Sequence, residues 1–128
     1  MRLLLDTHIV LWWLSDAPQL PAAVRQAVLH PEAEVFVSKA SLWEMVIKAF
    51  IGKLQADIAK VAEAIPAQGF RWLGIEIAHL LELGKLSADE QHRDPFDRLL
   101  VAQSRFEPLI LLTTDSQLAR YGATVRVC

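Results

Sequence analysis

The chain has 128 residues and a mass of 14.4 kDa, the size of one domain with a buried core, so we expect a single domain over residues 1–128. Its formal net charge of −2 argues against a protein held to nucleic acid by phosphate contacts alone. The hydrophobic content of 53% exceeds what a solitary domain usually needs, so some apolar surface is expected to contact a partner.

The cellular setting is predicted from the cysteine count and the apolar runs. The only cysteine, Cys128, excludes an internal disulfide and a cysteine-based zinc site. The run Ile9 to Leu14 is far too short to span a membrane, and Asp6 and His8 interrupt the only candidate signal peptide. We therefore expect a cytoplasmic protein that is not attached to a membrane.

The first half of the chain reads as alternating strands and helices. Pro21 suits the first turn of a helix, and Ser41-Leu42-Trp43-Glu44 has the form of a capping box. The predicted elements are, in order, a strand at Arg2–Leu5, helices at Thr7–Leu14 and Pro21–Leu29, a strand at Val35–Val37, and helices at Ser38–Phe50 and Gln55–Ala67.

The second half continues this alternation. Asp94 is placed to cap a helix that has Pro95 at its first position. Runs of apolar residues without polar alternation are typical of parallel strands covered on both faces, so we predict a three-layer α/β/α sandwich around a mostly parallel twisted sheet. The predicted elements are a strand at Phe70–Gly74, a helix at Ile75–Leu83, a polar loop at Ser87–Arg93, a helix at Pro95–Arg105, a strand at Leu109–Leu112, a short helix at Ser116–Arg120 and a strand at Ala123–Val127.

Acidic residues lie at four separate places where a strand gives way to a helix. The carboxyl ends of parallel strands share one edge of the sheet, so these carboxylates should converge, repel and raise one another's pKa. A hard divalent cation would relieve this repulsion, and oxygen ligands without a His or Cys cluster favour Mg²⁺ or Mn²⁺. The acids are Asp6, Glu44, Asp94, Asp97 and Asp115.

Each acid taken alone has a purely local alternative, because carboxylates are common at the first turn of helices. Asp94 is a good N-cap, Asp97 and Glu44 suit the third helical position, and Asp6 or Asp115 can cap the helix that follows. Acids at four junctions on one edge of a sheet are better explained by a shared ligand.

A cation held by carboxylates activates water for attack on phosphorus, so a phosphodiester is the natural substrate. Hydroxyl groups beside the acids can orient the water or the phosphate, or can be local caps, and nearby basic residues can form a rim or be solvated charges. For His8 and His92 a surface or capping role is the commoner explanation. The hydroxyl residues are Thr7, Ser38, Ser41, Thr113 and Thr114, and the basic residues are Lys39, Lys48, Arg93 and Arg98.

Four blocks of sequence resemble the PIN-domain ribonucleases, and more narrowly the VapC-like toxins of bacterial toxin–antitoxin pairs. They occur in the family's order and cover essentially the whole chain. The blocks are Leu4-Leu5-Asp6-Thr7-His8 with Leu11-Trp12-Trp13, Val37-Ser38-Lys39-Ala40-Ser41-Leu42-Trp43-Glu44, His92-Arg93-Asp94-Pro95-Phe96-Asp97-Arg98-Leu99-Leu100 with Ala102-Gln103, and Leu112-Thr113-Thr114-Asp115 with Tyr121-Gly122.

The resemblance implies a Mg²⁺- or Mn²⁺-dependent endoribonuclease toxin that forms a homodimer and is silenced by an antitoxin protein. Its catalytic and metal-binding acids map onto Asp6, Glu44, Asp97 and Asp115, with Asp94 as a further ligand or a helix cap. Thr7, Ser38, Thr114 and Arg98 are the residues expected to orient substrate. The candidates for an antitoxin groove or a dimer interface are Trp12, Trp13, Trp43, Phe50 and Ile51, although aromatic residues at helical spacing are more often core.

Two other hypotheses remain open from the sequence. The same acids would serve a PIN-type nuclease that acts in RNA processing or on DNA. The chain could also be a non-catalytic module that binds RNA or protein and whose acids are caps. Sensitivity of cleavage to a chelator would separate an enzyme from a binding module.

Overall fold

A computed structural model describes residues 1–86 and 94–128 and has a five-stranded parallel sheet at its centre. The strands lie in the order β3-β2-β1-β4-β5, so β1 is the middle strand and pairs with β2 and β4. The strands are β1 Arg2–Leu5, β2 Glu34–Ser38, β3 Arg71–Leu73, β4 Ile110–Thr113 and β5 Val125–Val127.

Helices cover both faces of the sheet, as the apolar strands predicted. The α-helices are α1 Thr7–Leu14, α2 Ala22–Leu29, α3 Lys39–Phe50, α4 Ile58–Ala67, α5 Ile77–Leu83 and α6 Pro95–Phe106, and a 3-10 helix follows at Ser116–Tyr121. None of the described helices has the length and apolar character needed to cross a membrane.

The middle strand shows why these segments lack polar alternation. Leu3 and Leu5 belong to one core cluster, which also contains buried residues of α1 to α4, whereas Leu4 points into a second cluster with α6 and the 3-10 helix. All three leucines are fully buried because both faces of the strand are covered. The predicted three-layer α/β/α architecture is confirmed.

The predicted capping box at Ser41 and Glu44 is wrong. Helix α3 begins at Lys39, and its N-cap is Ser38, whose Oγ accepts a hydrogen bond from the backbone N–H of Ala40 at 3.0 Å. Ser41 and Glu44 therefore lie inside the helix, and both are buried. The extended strand β2 continues directly into the helix, so the polar residue at the end of the strand becomes the cap.

Other predicted boundaries shift by a few residues. Helix α4 begins at Ile58 because Asp57 caps it, and Pro66 lies inside its last turn. Helix α5 begins at Ile77, two residues later than predicted, and Pro21 is the N-cap of α2. Strand β4 is displaced by one residue towards Thr113. The predicted loop Ser87–Arg93 lies outside the described residues.

The topology brings three strand ends to one edge of the sheet. Strand β1 ends at Leu5 and is followed by Asp6, β2 ends at Ser38, and β4 ends at Thr113. Leu5 pairs with Leu112, so Asp6 and Thr113 are the next residues along two adjacent parallel strands. This edge is where the sequence-predicted acids were expected.

Candidate active site

Asp6 lies at the centre of this edge and is buried. Its Oδ1 accepts a hydrogen bond of 2.7 Å from the backbone N–H of Thr7, and its Oδ2 accepts one of 2.6 Å from the hydroxyl of Thr113. Burial raises the pKa of the carboxyl group, an effect that the two hydrogen bonds oppose. Asp6 is thus both the N-cap of α1 and an acid held in a defined orientation.

Thr113 connects Asp6 to the next acid along the edge. Its hydroxyl accepts a hydrogen bond of 3.0 Å from the backbone N–H of Asp115 while it donates to Asp6. Asp115 caps the 3-10 helix, since its Oδ1 accepts from the backbone N–H of Gln117 at 2.9 Å. One threonine therefore fixes the relative positions of two acids from different strands.

Glu44 projects from α3 and is almost fully buried, with 4% of its surface exposed. The hydroxyl of Thr7 lies 2.7 Å from its Oε1 and 2.9 Å from the Oγ of Ser41. Thr7 is the donor in both contacts, so its single hydroxyl proton is shared between the carboxylate and Ser41. The other oxygen, Oε2, accepts a hydrogen bond of 2.7 Å from the ammonium group of Lys48.

The start of α6 supplies the remaining acids. Asp94 is its N-cap, and its Oδ1 accepts from the backbone N–H groups of Phe96 and Asp97 at 2.9 and 3.1 Å. Asp97 is half-buried, and its pKa is raised to about 8, first by burial and then by the charges of Asp6, Asp94, Glu44 and Asp115. Asp97 therefore lies within the electrostatic reach of every other predicted acid.

The five acids, Asp6, Glu44, Asp94, Asp97 and Asp115, are called the acidic centre, because the charges of the other four act on Asp97. Four of its members stand at a cap or in the first turn of a helix, and Glu44 does not. A carboxylate can therefore cap a helix and still belong to the acidic centre, since the charges of the capping acids act on Asp97.

The donor set of the acidic centre fits a hard divalent cation. Its side chains offer only carboxylate oxygens, and a cation would remove the mutual repulsion that raises the pKa of Asp97. Within residues 1–86 and 94–128, no three His, Cys, Asp or Glu side chains are already drawn together closely enough to hold one ion. Uptake of a cation would therefore need side-chain adjustment at the centre.

The residues predicted to orient substrate occupy different environments. Thr7 lies at the acidic centre, next to Glu44. Ser38 is fully buried and serves as the cap of α3. Arg98 donates a hydrogen bond of 3.0 Å from Nη1 to the hydroxyl of Tyr121 and lies over its ring. Thr114 is half-buried between Thr113 and Asp115.

Two of the basic and histidine candidates named from the sequence are exposed, and two are not described. Lys39 is exposed at the start of α3, and His8 is exposed on α1, where its charge would lower the pKa of Asp6. His92 and Arg93 lie outside the described residues.

Two contacts at the acidic centre were not anticipated in detail. The ion pair of Lys48 with Glu44 has the i, i+4 spacing of helical ion pairs, so the spacing of the two residues in the sequence could have predicted it. The bridge from Thr113 to Asp6 joins residues more than one hundred positions apart, so only the pairing of β1 with β4 shows it.

The aromatic candidates for an interface fall into two groups. Trp12 and Trp13 are half-buried and pack against the core cluster beneath α1. In contrast, Trp43, Phe50 and Ile51 are 54%, 90% and 55% exposed. The second group is therefore the more exposed of the two, and Trp12 of the first group lines a cavity with Thr7 and Lys48.

Fold and site together define an α/β protein with a carboxylate centre at the carboxyl edge of a parallel sheet. The model of the PIN domain family matches residues 3–123, and the chain therefore belongs to the PIN domain family. The predicted family membership is confirmed. No curated protein matches the chain by sequence at a significant level.

Solved structures with the same fold come from bacterial complexes. VapBC2 from Rickettsia felis bound to a DNA fragment from its promoter is similar with a TM-score of 0.75 and 14% identity, over 100% of this chain and 98% of that one. A toxin–antitoxin complex from Klebsiella pneumoniae has a TM-score of 0.67 and 18% identity, with coverage of 97% and 95%. VapBC-1 from nontypeable Haemophilus influenzae has a TM-score of 0.66 and 18% identity, with coverage of 94% and 92%.

Proposed function

We propose that the protein is a Mg²⁺- or Mn²⁺-dependent endoribonuclease and the toxin of a toxin–antitoxin pair. The observation that carries this proposal is the effect of four carboxylates on Asp97, whose pKa is raised to about 8 by burial and by their charges. Support comes from membership of the PIN family, whose members are generally nucleases that depend on divalent metal. Such an enzyme would act on RNA in the cytoplasm.

The cation would be held by Asp6, Asp97, Glu44 and Asp115, with Asp94 beside them. When bound, it would supply activation of a water and charge neutralisation on the phosphate. The protein contributes orientation: Thr113 and the N–H of Thr7 fix Asp6, and Thr7 also fixes Glu44. These contacts keep two buried carboxylates at the edge of the sheet with little freedom to rotate.

The decisive experiment is RNA cleavage by Asp6→Asn and Asp97→Asn, with Asp57→Asn as matched control. Asp57 is also a capping aspartate, but it caps α4 and is not a member of the acidic centre. We expect both centre variants and chelator treatment to abolish cleavage, and the control to cleave at the parent rate. Centre variants within a few-fold of the parent would remove these acids from the mechanism.

The same assay separates the alternative functions. Cleavage of DNA in preference to RNA would indicate a PIN nuclease with a different substrate. Retention of RNA without cleavage, whether or not Mg²⁺ or Mn²⁺ is present, would indicate a binding module whose acids are caps.

A candidate binding site for a segment of the antitoxin lies beside α1. A cavity of about 490 Å³ next to the acidic centre contains Thr7 and Lys48, and a second one of about 280 Å³ shares three of its lining residues. The shared residues Leu11, Ser15 and Leu54 show that the two cavities are adjacent, and the one nearer the acids is the more polar of the two. An amphipathic peptide fits this arrangement.

The biological role is tested by expression in bacteria. The protein alone should slow growth, the Asp6→Asn variant should not, and co-expression of an adjacent antitoxin gene should restore growth. Harmless expression of the unmutated, cleavage-competent protein would contradict the assignment as a toxin.

A further inference from the structure

Lys48 places a positive charge directly on the acidic centre. Its Nζ lies 2.7 Å from Oε2 of Glu44, and the side chains of the two residues are 37% and 5% exposed. The ammonium is also attracted by the charges of Asp94 and Asp97, which belong to a different helix. Lys48 therefore interacts with carboxylates of both α3 and α6.

The two oxygens of Glu44 are held in different ways. Oε1 accepts from the neutral hydroxyl of Thr7, whereas Oε2 is paired with a full positive charge. Within residues 1–86 and 94–128, Lys48 is the basic side chain that pairs with Glu44. A buried carboxylate that loses such a partner becomes strongly unfavourable, because the remaining negative charge is neither solvated nor compensated. The surrounding acids add repulsion to that cost.

A divalent cation at the acidic centre and the ammonium of Lys48 are attracted by the same carboxylates. A cation held by Glu44 and the ammonium paired with Glu44 would also repel each other, because both would lie beside the same carboxylate. Lys48 therefore stabilises the protein before the metal arrives and opposes the arrival of the metal.

We propose that Lys48 is a positioning residue that serves as the resident counter-ion of the acidic centre and limits its affinity for a divalent cation. This inference rests on the proposed function, because it assumes that the acidic centre takes up Mg²⁺ or Mn²⁺. In its absence Glu44 keeps the hydrogen bond from Thr7 but loses charge compensation.

The test compares Lys48→Met, Lys48→Arg and Lys53→Met by thermal melting in chelator and by calorimetric titration with Mn²⁺. Lys53 is a matched control, because it lines the same cavity and is exposed, and in the described part of the chain no ion pair joins it to a carboxylate. In chelator, Lys48→Met should melt roughly 3–8 °C below the parent. Its affinity for Mn²⁺ should be about three- to tenfold higher, since one opposing charge is gone.

The conservative and control variants define the outcome. Lys48→Arg should restore the melting temperature and the affinity for Mn²⁺ towards the parent values, and Lys53→Met should match the parent in both. Addition of Glu44→Gln should cancel most of the destabilisation by Lys48→Met, because no unpaired buried charge remains. Equal behaviour of Lys48→Met and Lys53→Met in both measurements would overturn the proposal.

Failure of the proposed function would look different. If the parent protein shows no response to Mn²⁺, the proposed metal-dependent function is contradicted. The counter-ion role of Lys48 is then tested by the melting temperatures in chelator alone. Equal melting temperatures of Lys48→Met and Lys53→Met then overturn the counter-ion role. A lower melting temperature of Lys48→Met alone, restored by the addition of Glu44→Gln, supports it.

Discussion

Asp97 is the residue at which the repulsion within the acidic centre is concentrated. Its pKa is 3.8 in an ordinary environment and about 8 in the folded protein, with burial as the first cause. Between these two values the folded chain holds a proton that the unfolded chain has released. Folding therefore takes up a proton in this range, and stability must fall as the pH rises through it.

The first prediction is a pH dependence of this sign. In chelator, the free energy of unfolding should be larger at pH 5 than at pH 8, by an amount of order a few kcal/mol, since each pKa unit corresponds to about 1.4 kcal/mol. The raised pKa of Asp6 acts in the same direction. Chemical denaturation across this range is the measurement.

Two variants show whether Asp97 is the source. Asp97→Asn should flatten the dependence because the titrating group is gone, whereas Asp57→Asn should leave it unchanged. Saturating Mn²⁺ should also reduce it, because a bound cation displaces the proton. A parent protein that becomes more stable from pH 5 to pH 8 in chelator would refute the raised pKa.

The second prediction concerns the stability of the two key variants without metal at pH 7.5. Asp97→Asn should be more stable than the parent, since it relieves repulsion in the half-buried centre. Asp6→Asn should gain less, because one of its two oxygens becomes an NH2 group, and only one of the hydrogen bonds from Thr7 and Thr113 then keeps an acceptor. Thermal melts of the three proteins in chelator provide the ranking, and the reverse order would contradict it.

At the scale of elements, the acidic centre is built by three α-helices and the 3-10 helix. Helices α1 and α3 follow β1 and β2 directly, Asp115 caps the 3-10 helix that comes after β4, and Asp94 caps α6. The caps Asp6, Ser38 and Asp94 have similar local geometry, with a side-chain oxygen that accepts a backbone N–H. Capping alone therefore does not distinguish a site residue from a structural one.

The third prediction separates these roles for Ser38. Ser38→Ala should lower stability by about 1 kcal/mol, because α3 loses its cap, while the cleavage rate per folded molecule stays at the parent value. Ser116→Ala, at an exposed serine, should leave stability unchanged. Loss of cleavage in folded Ser38→Ala would instead support the substrate-orienting role expected from the sequence.

At the scale of the whole molecule, one face of α3 is apolar and exposed. Trp43, Val46, Ile47 and Phe50 follow the i, i+3, i+4, i+7 spacing of a single helical face, and all are at least 38% exposed. The ring of Trp43 packs edge-to-face against the ring of Phe96 in α6, with 4.9 Å between the ring centroids. A rigid apolar face of this kind is suited to a homodimer interface.

The fourth prediction is that this face mediates dimerisation. Light scattering at micromolar concentration should give a dimer for the parent and a monomer for Phe50→Ser, since the mutation removes the most exposed ring of this face. Leu29→Ser, on the exposed side of α2, should remain a dimer. A monomeric parent protein would eliminate the interface.

The sequence by itself determined the alternation of strands and helices and the edge at which the acids lie. Leu3-Leu4-Leu5 and Leu111-Leu112 predict parallel strands because they are apolar on both faces, and this property does not depend on distant residues. Helix boundaries at Asp94 and Pro95 were likewise local, because the cap and the proline act within one turn. PIN-family membership followed from four short blocks in order.

The tertiary structure decided which groups act on the acids. The hydroxyl of Thr113 reaches Asp6 only because β4 pairs with β1, and Glu44 becomes a buried member of the acidic centre only because α1 packs beside α3 and presents Thr7. Ser41 looked like a cap in the sequence, but the extension of β2 to Ser38 placed it inside the helix. Local preferences select the elements, whereas burial and long-range pairing set the charge, orientation and pKa of the groups that they bring together.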